Sequence, residues 1–102
     1  MFSFIYITTP SLEEAEKIAK VLLEKKLAAC INIFPIKSLF WWEGKIERVE
    51  EHAMIVKTKA EKFSEVRDEV KKLHSYKVPC ICEIPIERGL REFLDWIEVT
   101  VE

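Results

Sequence analysis

The feature that most limits the fold is a pair of long β-type runs flanking a single tight turn. Residues 28–42, AACINIFPIKSLFWW, are rich in β-branched and aromatic side chains. Glu43-Gly44 supplies the turn signal, and residues 45–57 return as a second run. Strands in globular proteins average about 5–6 residues. Both runs of this hairpin exceed that length, which points to packing between subunits. Pro35 lies inside the first run. Proline cannot donate to a ladder, which places it on an edge strand, a bulge or a bend. Glu50-Glu51 interrupts the alternation of the second run and reads as a bulge or kink.

The rest of the chain arranges itself around that hairpin. Residues 2–9, FSFIYITT, read as a strand. Ser11 and Glu14 form a capping box, and Ala15, Ile18, Ala19, Leu22 and Leu23 follow at helical spacing. Glu13–Lys17 and Glu16–Lys20 are helix-favouring pairs. Thr58 with Glu61 predicts a second capping box, ahead of Phe63, Val66, Val70 and Leu73 on one helix face. PCICEIPI at 79–86 is a short strand, and Leu90, Phe93, Leu94, Ile97 and Val101 mark a last amphipathic helix. The order β-α-β-β-α-β-α begins with the ferredoxin-like pattern. The expected fold is α/β of the α+β kind, a βαββαβ sandwich with a long central hairpin and an extra C-terminal helix, in one domain over residues 1–102. Phe2, Phe4 and Tyr6 alternate with Ser3, Ile5 and Ile7, so both faces of the first strand are apolar. Such a strand is covered on both sides. With helices expected on only one face, sheets are predicted to pack against one another between subunits.

Composition excludes several functions. A net charge of -2 offers no basic surplus for phosphate backbones, which argues against nucleic acid. No apolar run approaches the ~20 residues of a membrane span. The N-terminus lacks a basic region and a small-residue cleavage site, so the expected location is cytoplasmic. Three cysteines are an odd number, against a disulfide framework. One Asn, no Gln, and many Glu, Lys and Ile match the make-up of thermostable proteins.

Candidate functional residues cluster in "LHSYKVPC", Leu73 to Cys80. His74 follows the last apolar residue of a helix; it reads as a C-terminal cap near the helix dipole, or as a metal ligand or general acid–base. Cys80 and Cys82 face one way on a strand and read as small buried hydrophobes. Cys30, beside Asn32 on the same face, is also read as buried, with a soft thiolate's affinity for copper(I) as the rival. Trp41 and Trp42 point to opposite faces and read as interface or core anchors. Lys57 ends the MIVKT strand, either reaching solvent or lending a cation to a cleft. His52 reads as surface or interface, and Glu47, Glu50 and Glu51 as a solvated face, with binding of a hard ion as the lesser alternative. No nucleophile–base pair, phosphate loop or paired Cys-x-x-Cys site is present, so no enzyme activity is expected.

Taken in order, "LAACINI" (27–33), "FWWEGKIE" (40–47), "IVKTK" (55–59) and "LHSYKVPCI" (73–81) resemble the CutA family of divalent-cation tolerance proteins, and the resemblance spans essentially the whole chain. It implies a ferredoxin-like sandwich similar to the PII regulators and a homotrimer around a threefold axis. It also implies binding of copper or another divalent cation, with a role in tolerance and response to metal ions. His74 matches the family's L-H-P-Y histidine, the leading metal ligand, with Cys30 as a weaker one. Tyr76, Lys57 and Trp42 match positions expected in or near the same intersubunit cleft. Ser75 replaces the motif's proline, which leaves the loop less rigid. The alternative is a PII-like signalling trimer whose clefts bind a small anion or whose loops bind a protein partner, with Lys57 and Tyr76 foremost.

Overall fold

The computed structural model describes residues 1–102. Its elements are β1 (Phe2–Thr9), α1 (Leu12–Glu24), β2 (Cys30–Trp42), β3 (Lys45–Lys59), α2 (Phe63–Leu73), β4 (Ile81–Ile86) and α3 (Arg91–Thr100). The strands form one antiparallel sheet in the order β2-β3-β1-β4. The element order matches the sequence reading. The β2–β3 ladder runs without a break from Cys30↔Lys57 to Trp42↔Lys45. There is thus no bulge at Glu50-Glu51, and Pro35 is accommodated because β2 is an edge strand. At the tip, Glu43 and Gly44 both have positive φ, 48° and 78°. That is the type I′ arrangement, whose twist suits the flanking strands.

Alternation along β1 divides the sheet into two faces. Ser3, Ile5, Ile7 and Thr9 are buried beneath α1 and α2. Ile5 and Ile7 sit beside Val56 and Met54 of β3, and the layer closes with Ala15, Ile18, Leu22, Val66 and Val70. Each large aliphatic side chain fully withdrawn here contributes about 1.5–3 kcal/mol. The second face carries Phe2, Phe4, Tyr6 and Thr8. The sequence reading left this face without a helix, but α3 crosses one end of it, packing Leu94, Ile97 and Val101 with Phe2, Ala29 and Ile86. Beyond α3 this face is left to β-strand side chains alone.

Two predicted caps come out differently. Ser11 Oγ accepts from the Glu14 amide at 3.2 Å, as predicted. The Glu14 carboxylate does not reach back to Ser11; it accepts instead from the Ser75 amide at 3.0 Å. Thr58 caps nothing. It lies inside β3, fully buried, and donates to the Leu27 carbonyl at 2.7 Å. A 3₁₀ turn, Ala60–Lys62, leads into α2 without a side-chain cap. The β ladder wins because Thr58 pairs with Ser3 in the core layer. Glu13–Lys17 and Glu16–Lys20 form no ion pairs; the charged contacts run elsewhere, as in Lys25–Glu69 at 2.8 Å.

Candidate functional site

The segment from His74 to Cys80 joins α2 to β4 and passes over one end of β1. His74 is the C-cap of α2, its amide donating to the Val70 carbonyl at 2.9 Å. Its imidazole does not trail into solvent: the side chain is 0% exposed. Nε2 lies 2.7 Å from the Thr8 carbonyl, and Nδ1 accepts from the Tyr76 amide at 3.0 Å. The carbonyl can only accept and the amide can only donate. Nε2 is therefore assigned the hydrogen and Nδ1 the lone pair. Glu14 Oε2 stands 3.4 Å from the same Nδ1 while holding Ser75. The histidine thus ties the loop to β1, and Glu14 ties it to α1.

This fixing presents Tyr76. Its ring lies 5.0 Å from the His74 ring, and its hydroxyl donates to Glu51 Oε2 at 2.7 Å. Withdrawal from water, then the bond to Glu51 and its charge, push the Tyr76 hydroxyl up to about 12. The phenol therefore serves as a hydrogen-bond donor throughout the neutral range. Glu51, expected on a solvated face, is instead buried on β3. Its side chain continues the series Lys57, Ile55, Ala53 on the second face, which is the period-two signal that could have located it.

The other candidate residues fall elsewhere within the chain. Cys30 and Lys57 are register partners at the α3 end of the second face. Lys57 Nζ lies 5.4 Å from the centroids of both Phe4 and Phe93, with no carboxylate within ion-pair distance. From there to the Thr8 row is four residues, about 13 Å along the strand. Trp42 pairs with Lys45, six residues beyond Glu51, or about 20 Å. His74 and Tyr76 are brought together; Cys30, Lys57 and Trp42 are not brought to them. No group of three His, Cys, Asp or Glu side chains is placed to hold a metal ion. Cys80 is half-buried and Cys82 exposed, so neither is the fully buried thiol expected from sequence; Cys30 is half-buried. His52 is half-buried, its carbonyl accepting from Thr9 Oγ1 at 2.9 Å.

The hairpin tip is the other conspicuous surface. Leu39, Trp41, Trp42 and Ile46 are 66%, 72%, 55% and 62% exposed. Large side chains left open together mark an interaction surface.

A four-stranded antiparallel sheet in this order, with two helices across one face, defines a ferredoxin-like α+β protein. Within that class, residues 3–100 match the family model for the CutA1 divalent ion tolerance protein, and the chain belongs to that family. It is 78% identical over 102 residues to the divalent-cation tolerance protein CutA of Archaeoglobus fulgidus, covering 100% of both chains. It is 42% identical over 97 residues to the CutA of Thermotoga maritima, covering 95% of this chain and 96% of the other. Among solved structures, the periplasmic divalent cation tolerance protein CutA from Archaeoglobus fulgidus superposes with a TM-score of 0.98, at 78% identity and full coverage of both chains. The divalent cation tolerance protein of Thermus thermophilus gives 0.96 at 42% identity, again over 100% of each chain.

Proposed function

We propose that the protein binds divalent cations, copper foremost, as a homotrimer, and that the His74–Cys80 loop forms one wall of a cleft between subunits. The role is binding rather than turnover. The observation that carries the reading is the apolar hairpin tip, which one chain leaves in water. Cys30, Lys57 and Trp42 reach the loop only if a neighbouring chain brings them, because within one chain the register holds them apart. An ion held by His74 at Nδ1 exchanges places with the Tyr76 amide, so the donor set is completed across the boundary.

The test is light scattering with a copper(II) titration of reduced protein. The expected particle has three times the 12.0 kDa mass of the chain. Saturable binding is expected in wild type and lost in His74→Ala, with both remaining trimeric. A monomer, or equal copper(II) binding by the two proteins, would overturn the reading.

A second reading rests on Lys57, whose ammonium lies between two phenyl rings without a counter-charge. It makes the cleft a small-anion site in a signalling trimer. Anion binding lost in Lys57→Ala and indifferent to metal would favour it.

A further inference from the structure

Two charges on the open face of the sheet meet no opposite charge within the chain. Glu51, Ala53, Ile55 and Lys57 alternate along β3 with Met54 and Val56, which turn into the core. The Glu51 and Lys57 side chains therefore share the face away from α1 and α2. Glu51 is 6% exposed, and its carboxylate has one hydrogen bond, from the Tyr76 hydroxyl. That donor is neutral, so it answers the oxygen and leaves the charge. Lys57 is half-buried, with its ammonium beside the Phe4 and Phe93 rings. Neither residue takes part in any ion pair of the chain.

Withdrawing a charge from water is costly unless an opposite charge comes with it. The chain follows this rule elsewhere. Lys59 and Lys62, also half-buried, reach Glu98 at 3.2 Å and Glu65 at 3.5 Å. Glu51 and Lys57 cannot follow it together, because six residues of strand, about 20 Å, hold them apart. Two other charged residues continue the same series toward the hairpin tip. Lys45 is exposed and keeps its water, and Glu47 is more open than Glu51. The withdrawn pair is thus one carboxylate near the His74–Cys80 loop and one ammonium at the α3 end.

We propose that the Glu51 carboxylate receives the ammonium of Lys57 of the partner subunit, so that each boundary in the ring is closed by one such pair. The inference rests on the subunit reading above and adds the contact that sets its register. A face with a carboxylate at one end and an ammonium at the other can offer one and receive the other, head to tail around a circle. Matched charges at a contact reject misaligned packings as well as favouring the right one. Tyr76 holds the carboxylate in place from within the chain. The counter-charge that Lys57 lacks is then built into the assembly, and no free anion is needed to supply it.

The experiment is sedimentation velocity over a dilution series at one fixed salt and denaturant concentration. Wild type, Glu51→Lys, Lys57→Glu, a double variant with both exchanges, and a Glu47→Lys, Lys57→Glu control are compared, with circular dichroism confirming the fold of each. The chain concentration at which half the particles dissociate should rise by at least about tenfold in each single variant. It should return to within about threefold of wild type when the two charges are exchanged, and stay high in the Glu47→Lys control. If a single variant loses its fold, recovery of the folded particle by the exchange gives the same support. Single variants at the wild-type level, or an exchange no better than the weaker single variant, would overturn the proposal. So would inorganic phosphate binding by wild type that Lys57→Glu abolishes, since the ammonium would then be free. These results leave a wild-type trimer standing; a wild-type monomer at every concentration would instead remove the subunit reading, and the pair with it.

Discussion

The two ends of the β2–β3 hairpin are built from the same strands in one unbroken register, yet they serve different ends. At the base, Ile31 and Ile33 lie beside Val56 and Met54 and are covered by α1 and α2. At the tip, Leu39, Trp41, Trp42 and Ile46 are as apolar and stand in water. Hydrophobicity alone does not say where a side chain is buried. The base is satisfied within the chain, because two amphipathic helices pack on it. The tip outruns those helices, and its apolar surface stays open within one chain.

This contrast can be broken at either end. The largest effect is expected at the tip and concerns assembly. Trp41→Glu combined with Trp42→Glu should turn the proposed trimer into single chains by light scattering, while circular dichroism shows the same fold. A trimer that survives would move the interface elsewhere. At the base, Met54→Ala should cost about 2–5 kcal/mol in denaturant unfolding, since Met54 is fully buried between Ile7 and Ile33. Thr58→Val is smaller. It leaves the Leu27 carbonyl without its buried donor and should cost about 1–3 kcal/mol by the same measurement.

The smallest effect belongs to the loop and is read in alkali. The Tyr76 hydroxyl is raised from 10.0 to about 12. Between those values the unfolded chain has lost the proton and the native chain keeps it, so native stability falls as pH rises. The contribution is complete below about pH 10 and gone above about 12. Melting temperatures across that window should fall for wild type, and Tyr76→Phe should lack this part of the decline.

Much of the fold was legible because it is written in short-range periodicity. Alternation in FSFIYITT and the recurrence of Ala15, Ile18 and Leu22 located β1 and α1 and their buried faces. What failed were residues whose partners are distant in sequence. Thr58 has the local pattern of a cap, but its hydroxyl answers to Leu27. Glu51 looked solvated because its neighbours are charged, and only the arrival of Tyr76 from a loop 25 residues away satisfies it. His74 was legible as a helix terminus; that its ring would be locked between Thr8 and Tyr76 was not, because the Thr8 carbonyl is a backbone group that no motif marks. Helix α3 was read correctly as amphipathic, but periodicity does not say which face of the sheet it covers.

The turn at Glu43-Gly44 has a consequence for symmetry. Because both residues are left-handed, the arm leaves the sheet with a fixed twist, and Trp41 and Trp42 project from its opposite faces. The arm is therefore two-handed, with one indole for each side. A twofold dimer matches a patch with its own copy. A ring instead asks every chain to present one surface and receive a different one, so the contact passes around the circle and closes. An arm with two unlike aromatic faces, held at one angle by two residues, is suited to the ring.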